Sequence, residues 1–203
     1  MKHQTTVVDV SRETRLTLER FACLLLRWNR TVNLIARQDE PLLWERHIAD
    51  SLQLAPLMAP RPDRAIDLGS GAGFPGLILA LATQVRFDLI EADQRKAAFL
   101  REAARITGAP AHIHAVRIET AMLPPAPLIT ARAVAPLPRL LELAAPLLAP
   151  GGTCLFLKGA GVPAELTAAA PQWHMRTECI PSRTAAGASI LRITELSRVP
   201  RSA

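Results

Sequence analysis

Residues 64–81 of the chain read RAIDLGSGAGFPGLILAL. Its first apolar run, interrupted only by Asp67, predicts a short buried strand. Three glycines follow at alternate positions, and glycine allows positive φ and a close approach of the backbone to a ligand. Pro75 suits the first turn of a helix, and an apolar helical face follows it. This stretch therefore predicts a strand that turns tightly into a helix, the arrangement with which open α/β sheets build a nucleotide site.

The glycine pattern alone fits two classes of ligand. Gly71-x-Gly73-x-x-Gly76 satisfies the dinucleotide pattern G-x-G-x-x-G, although that match by itself is weak. Asp67 is predicted at the carboxyl end of the strand, where a carboxylate would repel a pyrophosphate at close range. The same carboxylate suits S-adenosylmethionine (SAM), which carries an ammonium, a sulfonium and no phosphate. Asp67, Gly69, Gly71 and Gly73 are therefore candidate SAM-binding residues, and a structural turn without a ligand is the remaining alternative.

Strand and helix patterns alternate along the chain from residue 64. Strands are predicted at 65–68, 85–91, 111–116, 128–131 and 153–157, with a closing pair at 173–179 and 189–196. Helices are predicted from residue 75 and at 95–105, 137–148 and 163–170. Strict alternation of this kind predicts an α/β fold with a mostly parallel, doubly wound, seven-stranded sheet.

Two helices are predicted before the glycine-rich strand. The first begins near Ser11, a candidate N-cap, and the second covers residues 41–52. Arg46 and Asp50 have the spacing of an i, i+4 surface pair on the second helix. On spacing alone, His47 is interpreted as a packing histidine rather than a functional one.

The chain divides at a proline-rich linker near residue 60. We assign residues 1–60 to an N-terminal helical cap and residues 61–203 to a SAM-binding domain that forms one compact unit. Residues 1–10 have the pattern of a frayed lead-in, and residues 197–203 that of a loose basic tail.

Polar residues follow the later strands, where ligands of open α/β sheets bind. Glu91 ends the second predicted strand, 24 residues after Asp67, and an acid at that position accepts hydrogen bonds from a ribose diol. An ordinary solvent-facing acid is the alternative. The run Arg117-Ile118-Glu119 follows the third strand, and Arg132 and Lys158 follow the fourth and fifth. All of them are expected at the same edge of the sheet.

Charge and composition favour a polyanionic partner. The 203 residues carry a formal net charge of +6, with a pI near 10.2, which makes nucleic acid the first candidate. Aromatic residues make up 4% of the chain and Tyr is absent, so an aromatic stacking platform for single strands is poorly supported.

The cysteines and the apolar runs bear on location. Cys23, Cys154 and Cys179 are far apart and odd in number, which favours a reducing cytosol over a disulfide scaffold. They lack the spacing of metal ligands, so no metal is predicted. The N-terminus is polar without an apolar signal core, and no run reaches membrane-spanning length. We therefore expect a cytoplasmic protein without a membrane partner.

Five patches together resemble the RsmG (GidB) family of bacterial 16S ribosomal RNA methyltransferases, over nearly the whole chain. Asp67-x-Gly69-x-Gly71-x-Gly73 is similar to motif I of the Rossmann-like methyltransferases, and the Phe-Pro-Gly that ends it is narrower than that motif. The other patches are Trp28-Asn29-x-x-x-Asn33-Leu34 with Arg46-His47-x-x-Asp50-Ser51, Glu91 with Arg95, Lys96, Phe99 and Leu100, Arg117-Ile118-Glu119, and Arg132-Ala133 with Lys158-Gly159. The resemblance implies a Rossmann-like class I methyltransferase fold with an N-terminal helical extension.

The resemblance also implies an activity, the transfer of a methyl group from SAM to N7 of one guanine in 16S ribosomal RNA. The product of the cofactor is S-adenosylhomocysteine. Gly69 and Phe74 are implied to contact the cofactor. Ile118 and Glu119 would flank its adenine, and Arg132 would line the site. The candidates for substrate binding are Asn33, Arg46, His47, Arg132 and Lys158.

Guanine N7 carries a free lone pair, so the implied reaction requires no general base, and Arg132 is a candidate for positioning rather than for acid–base chemistry. The implied partner is 16S ribosomal RNA or the small-subunit particle, with the enzyme as a monomer. Glu91 stands where the family more usually has Asp, and the C-terminal part is short for the family. An NAD-dependent oxidoreductase, motivated by G-x-G-x-x-G, and a non-catalytic basic RNA-binding protein, motivated by the charge of +6, are the alternatives.

Overall fold

A seven-stranded sheet organises the computed structural model, which describes residues 10–200. The strands are β1 (Arg64–Leu68), β2 (Arg86–Ile90), β3 (Ala111–His114), β4 (Ala126–Arg132), β5 (Leu148–Lys158), β6 (Trp173–Pro181) and β7 (Ser189–Arg198). Their order across the sheet is β3-β2-β1-β4-β5-β7-β6. β1 to β5 pair in parallel, whereas β7 is antiparallel to both of its neighbours. The predicted mostly parallel, seven-stranded sheet is therefore confirmed.

Helices connect the strands and precede the sheet. They are α1 (Arg12–Trp28), α2 (Asp50–Leu52), α3 (Gly76–Thr83), α4 (Gln94–Thr107), α5 (Leu137–Ala144) and α6 (Val162–Ala169). Ser11 is the N-cap of α1, as predicted, because its Oγ accepts a hydrogen bond from the Thr14 N–H at 3.2 Å. Gly108 ends α4 with a φ of +68°, a left-handed conformation that glycine adopts readily.

Alternate residues of each strand face two different apolar layers. Ala65 and Phe87 belong to the core that α1, α3 and α4 cover, whereas Ile66 and Ile90 belong to the core under α5 and α6. The ring of Phe21 on α1 lies 5.7 Å from that of Phe74 and 6.0 Å from that of Phe99. The N-terminal helix therefore shares a core with the sheet, and the division of the chain at residue 60 stays a prediction.

The prediction of a single α-helix over residues 41–52 is wrong, because three kinds of helical turn follow one another in this segment before β1. A 3₁₀-helix covers Arg37–Leu42, a π-helical turn covers Trp44–Ala49, and only the three residues of α2 are α-helical. Pro41 lies inside the 3₁₀-helix and has no N–H to donate to an α-helical ladder. π-Helical turns occur often at functional sites, and this one carries two candidate substrate-binding residues.

The fifth strand begins at Leu148, earlier than the predicted start at Thr153. Its pairing with β4 passes from Ala126↔Leu148 to Leu128↔Thr153, so the intervening residues of β5 bulge out of the ladder. Gly151 has a φ of +71° within this bulge. Gly151 therefore lies in an irregularity inside the strand rather than before it.

The end of the chain is also more ordered than predicted. β7 continues to Arg198, whose guanidinium lies 5.4 Å from the centre of the Trp173 ring. Ser197 pairs with His174 across the sheet. The prediction of a loose tail is therefore wrong for Ser197 and Arg198, and its last three residues, like the predicted lead-in over residues 1–9, lie outside the described residues.

Candidate active site

The turn between β1 and α3 has the glycine conformations that the sequence predicts. Gly69, Gly71 and Gly73 have φ values of +61°, +55° and +95°. A Cβ added at Gly71 would have only the Gly69 carbonyl oxygen nearby, at 3.9 Å, so the turn is open on that side. The Gly71 N–H donates a hydrogen bond of 2.8 Å to Oε2 of Glu91. The turn is therefore attached to the end of β2.

Glu91 follows β2, and both oxygens of its carboxylate accept backbone hydrogen bonds. Oε2 takes the Gly71 N–H, and Oε1 takes the Asp93 N–H at 2.8 Å. Asp93 in turn caps α4 by accepting from the N–H groups of Arg95 and Lys96. Each carboxylate oxygen has a second lone pair, so Glu91 retains acceptor capacity toward a ligand.

A cavity of about 330 Å³ lies above the carboxyl ends of β1 and β2. Four predicted cofactor-binding residues line it together: Gly69, Glu91, Ile118 and Glu119. The remaining lining residues are Ile90, Ala92, Arg117, Val134, Ala135, Arg139 and Leu143. We call this space the first cavity. Its volume lies at the lower end of the range found for small-molecule sites, about 300–1,000 Å³.

Glu119 is held at the rim of the first cavity by arginines. Arg139 donates to its Oε1 at 2.8 Å, and the Arg117 guanidinium lies 3.8 Å from Oε2. Hydrogen bonds from its own backbone N–H and from Arg139 hold the pKa of Glu119 below its ordinary value. The carboxylate is therefore ionised at neutral pH.

Asp67 does not line this cavity, and a direct contact of its carboxylate with the cofactor stays a prediction. Its side chain is 0% exposed and accepts a hydrogen bond of 2.6 Å from Thr130 Oγ1. A Cβ added at Gly76 would lie 2.5 Å from the Asp67 Cβ, so the side chain packs against the start of α3. Burial raises the pKa of Asp67 to about 6, against hydrogen bonds that lower it. Asp67 therefore supports the turn from beneath.

The ring of Phe74 is also covered. The His47 ring stacks on it with 5.0 Å between centroids and 24° between planes, and the Arg132 guanidinium lies 4.9 Å from its centroid. Phe21 approaches edge-on, and Phe74 as a whole is only 3% exposed. Its ring is therefore unavailable to a ligand in the first cavity, and a contact with the cofactor would have to come from its backbone.

His47 packs rather than presenting its nitrogens. Neither ring nitrogen is exposed, and neither has a hydrogen-bond partner among residues 10–200. Burial first, and then the charge of Arg132, lower the pKa of His47 to about 4, so the imidazole is neutral at pH 7. The interpretation of His47 as a packing residue matches this geometry better than a direct role in substrate binding.

A second cavity, of about 280 Å³, lies beside the carboxyl ends of β4 and β5. Three predicted substrate-binding residues line it together: Arg46, Arg132 and Lys158. The segment between β6 and β7 closes one side with Ser182 and Thr184. Asn33 lines neither of the two cavities and is exposed. The buried neighbour Asn29 accepts hydrogen bonds from the Leu34 and Ile35 N–H groups and holds that loop instead.

The prediction of an Arg46–Asp50 surface pair is wrong, because the charged residues around the second cavity have other partners. Arg46 pairs with Asp39, while Asp50 lies 3.6 Å from Arg132 and accepts a hydrogen bond of 2.6 Å from Thr184 Oγ1. Arg132 also donates to the Arg46 carbonyl oxygen at 3.2 Å. Burial lowers the pKa of Arg132, and Asp50 opposes that effect.

Lys158 is engaged at the wall of the second cavity. Its Nζ lies 2.6 Å from Oε2 of Glu165 and donates to the Ala135 carbonyl oxygen at 3.1 Å. The same Glu165 oxygen accepts the Leu137 N–H at 2.6 Å. Lys158 and Glu165 therefore hold the segment between β4 and α5 in place, a role that the spacing of the sequence does not indicate.

Residues 132–135 separate the two cavities. Arg132 and Ala133 line the second, and Val134 and Ala135 line the first. Ala133 has a φ of +53°, a conformation that costs a non-glycine residue free energy and is concentrated at functional sites. Sequence reasoning singled out Arg132 but missed Val134 and Ala135, since short apolar residues carry no chemical signal.

The two cavities differ in their charged groups. The first contains the carboxylates of Glu91 and Glu119 together with the guanidiniums of Arg117 and Arg139, beside apolar side chains, which suits a ligand with a diol and an apolar ring. The second contains the cations of Arg46, Arg132 and Lys158 together with the carboxylates of Asp50 and Glu165, and this excess of positive groups suits an anionic or nucleotide ligand. Within residues 10–200, no three His, Cys, Asp or Glu side chains group as metal ligands, and no helix is long and apolar enough to cross a membrane.

Two solved structures with the same fold are those of methyltransferases. The O-methyltransferase of Bacillus cereus, in complex with SAH, superposes with a TM-score of 0.57 at 15% identity and covers 93% of each chain. The ribosomal protein L11 methylase of Lactobacillus delbrueckii subsp. bulgaricus has a TM-score of 0.60 at 16% identity, covering 76% of this chain and 79% of its own. Such identities show the fold alone, and the predicted Rossmann-like class I methyltransferase fold is confirmed.

Sequence relatives are more specific. The ribosomal RNA small subunit methyltransferase G of Acidiphilium cryptum is 58% identical over 205 residues, covering 94% of each chain. The protein of the same name from Gluconobacter oxydans is 57% identical over 193 residues, covering 95% of this chain and 100% of its own. A family model described as rRNA small subunit methyltransferase G matches residues 15–188. The chain therefore belongs to the GidB family, that of rRNA small subunit methyltransferase G.

Proposed function

We propose that this protein is a SAM-dependent methyltransferase that modifies N7 of one guanine in 16S ribosomal RNA of the small subunit. The observation that carries the proposal is the pair of cavities that meet at residues 132–135, the first lined by Glu91 and the glycine-rich turn and the second by Arg46 and Arg132. Membership of the GidB family supports the substrate class. The choice of N7 rests on the resemblance. Methyl transfer to N7 requires no general base, because this atom carries a free lone pair.

The first cavity fits SAM. Glu91 has free lone pairs for the ribose hydroxyls while it holds the Gly71 N–H, and the open side of Gly71 leaves room for a ligand against the turn. Ile118 and Leu143 supply apolar surface for an adenine, and Glu119 supplies a carboxylate at the rim. When bound there, SAM would supply an electrophilic methyl group.

The second cavity fits a nucleotide of the RNA. Arg132 and Arg46 place positive charge where a phosphate or the O6 of guanine would bind. A guanidinium directly beside N7 would be unfavourable, because N7 becomes positively charged as the methyl group is transferred. The residues around the cavity would therefore act by orientation, and holding two reactants in line contributes up to about 7–11 kcal/mol in favourable cases.

His47 and Phe74 have a supporting role in this proposal. Phe74 belongs to the glycine-rich turn, and its ring holds the guanidinium of Arg132, which lines the second cavity. His47 stacks on the same ring and stays neutral at pH 7 because its pKa is lowered to about 4. A neutral imidazole does not repel Arg132, so the stack keeps that cation in place.

The direct test is methyl transfer from labelled SAM with purified protein. Protein-free 16S ribosomal RNA and the intact small subunit are offered separately, and the modified base is mapped. Incorporation at one guanine N7 supports the proposal, whereas incorporation at another atom would refute the assignment of N7. A non-catalytic RNA-binding protein would incorporate nothing. An NAD-dependent oxidoreductase would be stabilised against heat by NAD rather than by SAM.

We also infer that the protein works in the cytoplasm as a monomer, with 16S RNA or the small-subunit particle as its partner. All three cysteines are free, with Cys154 buried and the other two exposed, which suits a reducing compartment. Light scattering of the purified protein in reducing buffer should give the mass of one chain, and the mass of a dimer would contradict the inference.

A further inference from the structure

A groove of about 810 Å³ runs between α1 and α4, outside both cavities. Three arginines and one carboxylate line it: Arg27 on α1, and Arg101, Glu102 and Arg105 on α4. The proposed reaction uses none of these residues. The groove is therefore a separate surface whose charge needs an explanation.

The positive charge of the groove is only partly neutralised. Arg105 makes two hydrogen bonds of 2.9 Å to Glu102, which accounts for that pair. Arg27 and Arg101 are exposed and have no ion-pair partner within 4.0 Å in the part of the chain that the structure describes, and Glu102 attracts Arg27 at longer range. Two guanidiniums are therefore available to an anionic partner. Their planar donor groups match phosphate geometry well.

An aromatic ring lines the groove together with these cations. Trp28 is half-buried and contacts the Phe99 ring edge-on, with 5.8 Å between centroids, while it also lines the groove. The ring therefore packs against the core on one side and lines the groove on the other. A positively charged groove with an aromatic side chain is the usual surface for a nucleic-acid backbone with unpaired bases.

The position of the groove relates it to the proposed reaction site. α4 begins at Gln94, next to Asp93, whose N–H is bound to Glu91 at the first cavity. At a rise of 1.5 Å per residue, Arg101 lies about 10 Å and Arg105 about 16 Å along the helix from that start. The groove therefore leads away from the cofactor cavity along the side of the molecule, too far along to hold the reacting base itself.

We propose that the α1/α4 groove binds the sugar–phosphate backbone of the ribosomal RNA at a distance from the target guanine. The inference rests on the proposed function, because it names a second contact surface for the same substrate. Arg27 and Arg101 bind phosphates, and Trp28 contacts an unpaired base or sugar. Contacts of this kind fix the register of the RNA on the enzyme and carry no sequence information themselves.

The test uses the double variant Arg27→Glu/Arg101→Glu, with Arg27→Gln/Arg101→Gln as the milder form. The matched control is Arg61→Glu/Arg86→Glu, which changes the net charge by the same amount. Both arginines are exposed, Arg61 before β1 and Arg86 at the start of β2, at the edge of the sheet opposite the first cavity. Binding to protein-free 16S ribosomal RNA is measured as a function of salt, and methyl transfer to the small subunit is measured in parallel.

The groove variant should bind RNA at least about tenfold more weakly, and log K should depend less steeply on log salt, by about 1.4–1.8 for two lost phosphate contacts. The KM for the RNA substrate should rise while kcat and the affinity for SAM stay close to those of the wild type. The control variant should change RNA binding by less than about threefold.

Three results would overturn this proposal. Equal losses in the groove and control variants would show that only overall charge matters. A loss confined to the small subunit, with unchanged binding to protein-free RNA, would assign the groove to a ribosomal protein instead. If the groove variant binds both substrates as tightly as the wild type does, the groove does not bind RNA. If the wild type binds RNA through the groove but transfers no methyl group, the proposed function is refuted while the role of the groove in RNA binding is upheld.

Discussion

The buried groups His47 and Asp67 give the stability of this protein two opposing pH dependences. Burial lowers the pKa of His47 from 6.5 to about 4 in the folded chain. Between these pH values the imidazole is protonated in the unfolded chain and neutral in the folded chain, so the protein loses stability as the pH falls. Burial raises the pKa of Asp67 to about 6, so the folded chain binds that proton first as the pH falls, and stability is gained.

The two effects are of similar size. One pKa unit corresponds to about 1.4 kcal/mol, so each group changes the free energy of unfolding by about 2 kcal/mol between about pH 7 and about pH 4.5. The value for His47 is an upper bound, because its side chain is 13% exposed and solvent screens part of the cost. In the wild type the two contributions nearly cancel over this range.

Two near-isosteric variants separate them. Asp67→Asn keeps an acceptor for Thr130 Oγ1 and removes one titration, while His47→Phe keeps a ring on Phe74 and removes the other. The free energy of unfolding is measured in urea at about pH 7 and about pH 4.5. On acidification, the free energy of unfolding of Asp67→Asn should fall by about 2 kcal/mol relative to that of the wild type, and that of His47→Phe should rise by about as much. Parallel pH dependences in all three proteins would refute the assignment of these pKa shifts.

Other predictions concern the turn and the boundary between the cavities. Gly76→Ala should destabilise the protein by about 2–3 kcal/mol in urea unfolding, because its Cβ would lie 2.5 Å from that of Asp67; a cost equal to that of Gly159→Ala, which meets no atom within 4 Å, would contradict this. Glu91→Ala should weaken SAM binding at least about tenfold by calorimetry, since charge-assisted hydrogen bonds contribute about 1.5–3 kcal/mol; unchanged affinity would remove Glu91 from the site. Arg132→Ala should lower the rate of methyl transfer at least about tenfold and SAM affinity less than about threefold; equal losses would make Arg132 a cofactor residue only.

Much of the fold and of the first cavity was predictable because the signals are local. The glycine-rich turn, the acid after β2 and the run after β3 each follow a strand, and parallel strands end at one edge. Gly69, Glu91, Ile118 and Glu119 therefore line one cavity although 50 positions separate the first from the last. The alternation of strands and helices predicted the mostly parallel sheet in the same way, and the sequence predicted its closing pair of strands without their direction.

The remaining features depend on contacts between distant segments, which a single sequence does not show. Asp67 is buried because Thr130 donates to it and Gly76 leaves it room, and its place at a strand end does not indicate either contact. The partner of Asp50 is Arg132 rather than Arg46 because β4 ends beside the π-helical turn. The positive φ of Ala133 has no sequence signal, since alanine rarely adopts that conformation.

We propose that the two cavities hold the two reactants on either side of residues 132–135. A crystal structure of the protein with SAM is the decisive measurement. The ribose should bind Glu91 in the first cavity, and the methyl group should point past Val134 and Ala135 toward the second cavity. A cofactor seated in the second cavity, or a methyl group directed away from Arg132, would contradict it.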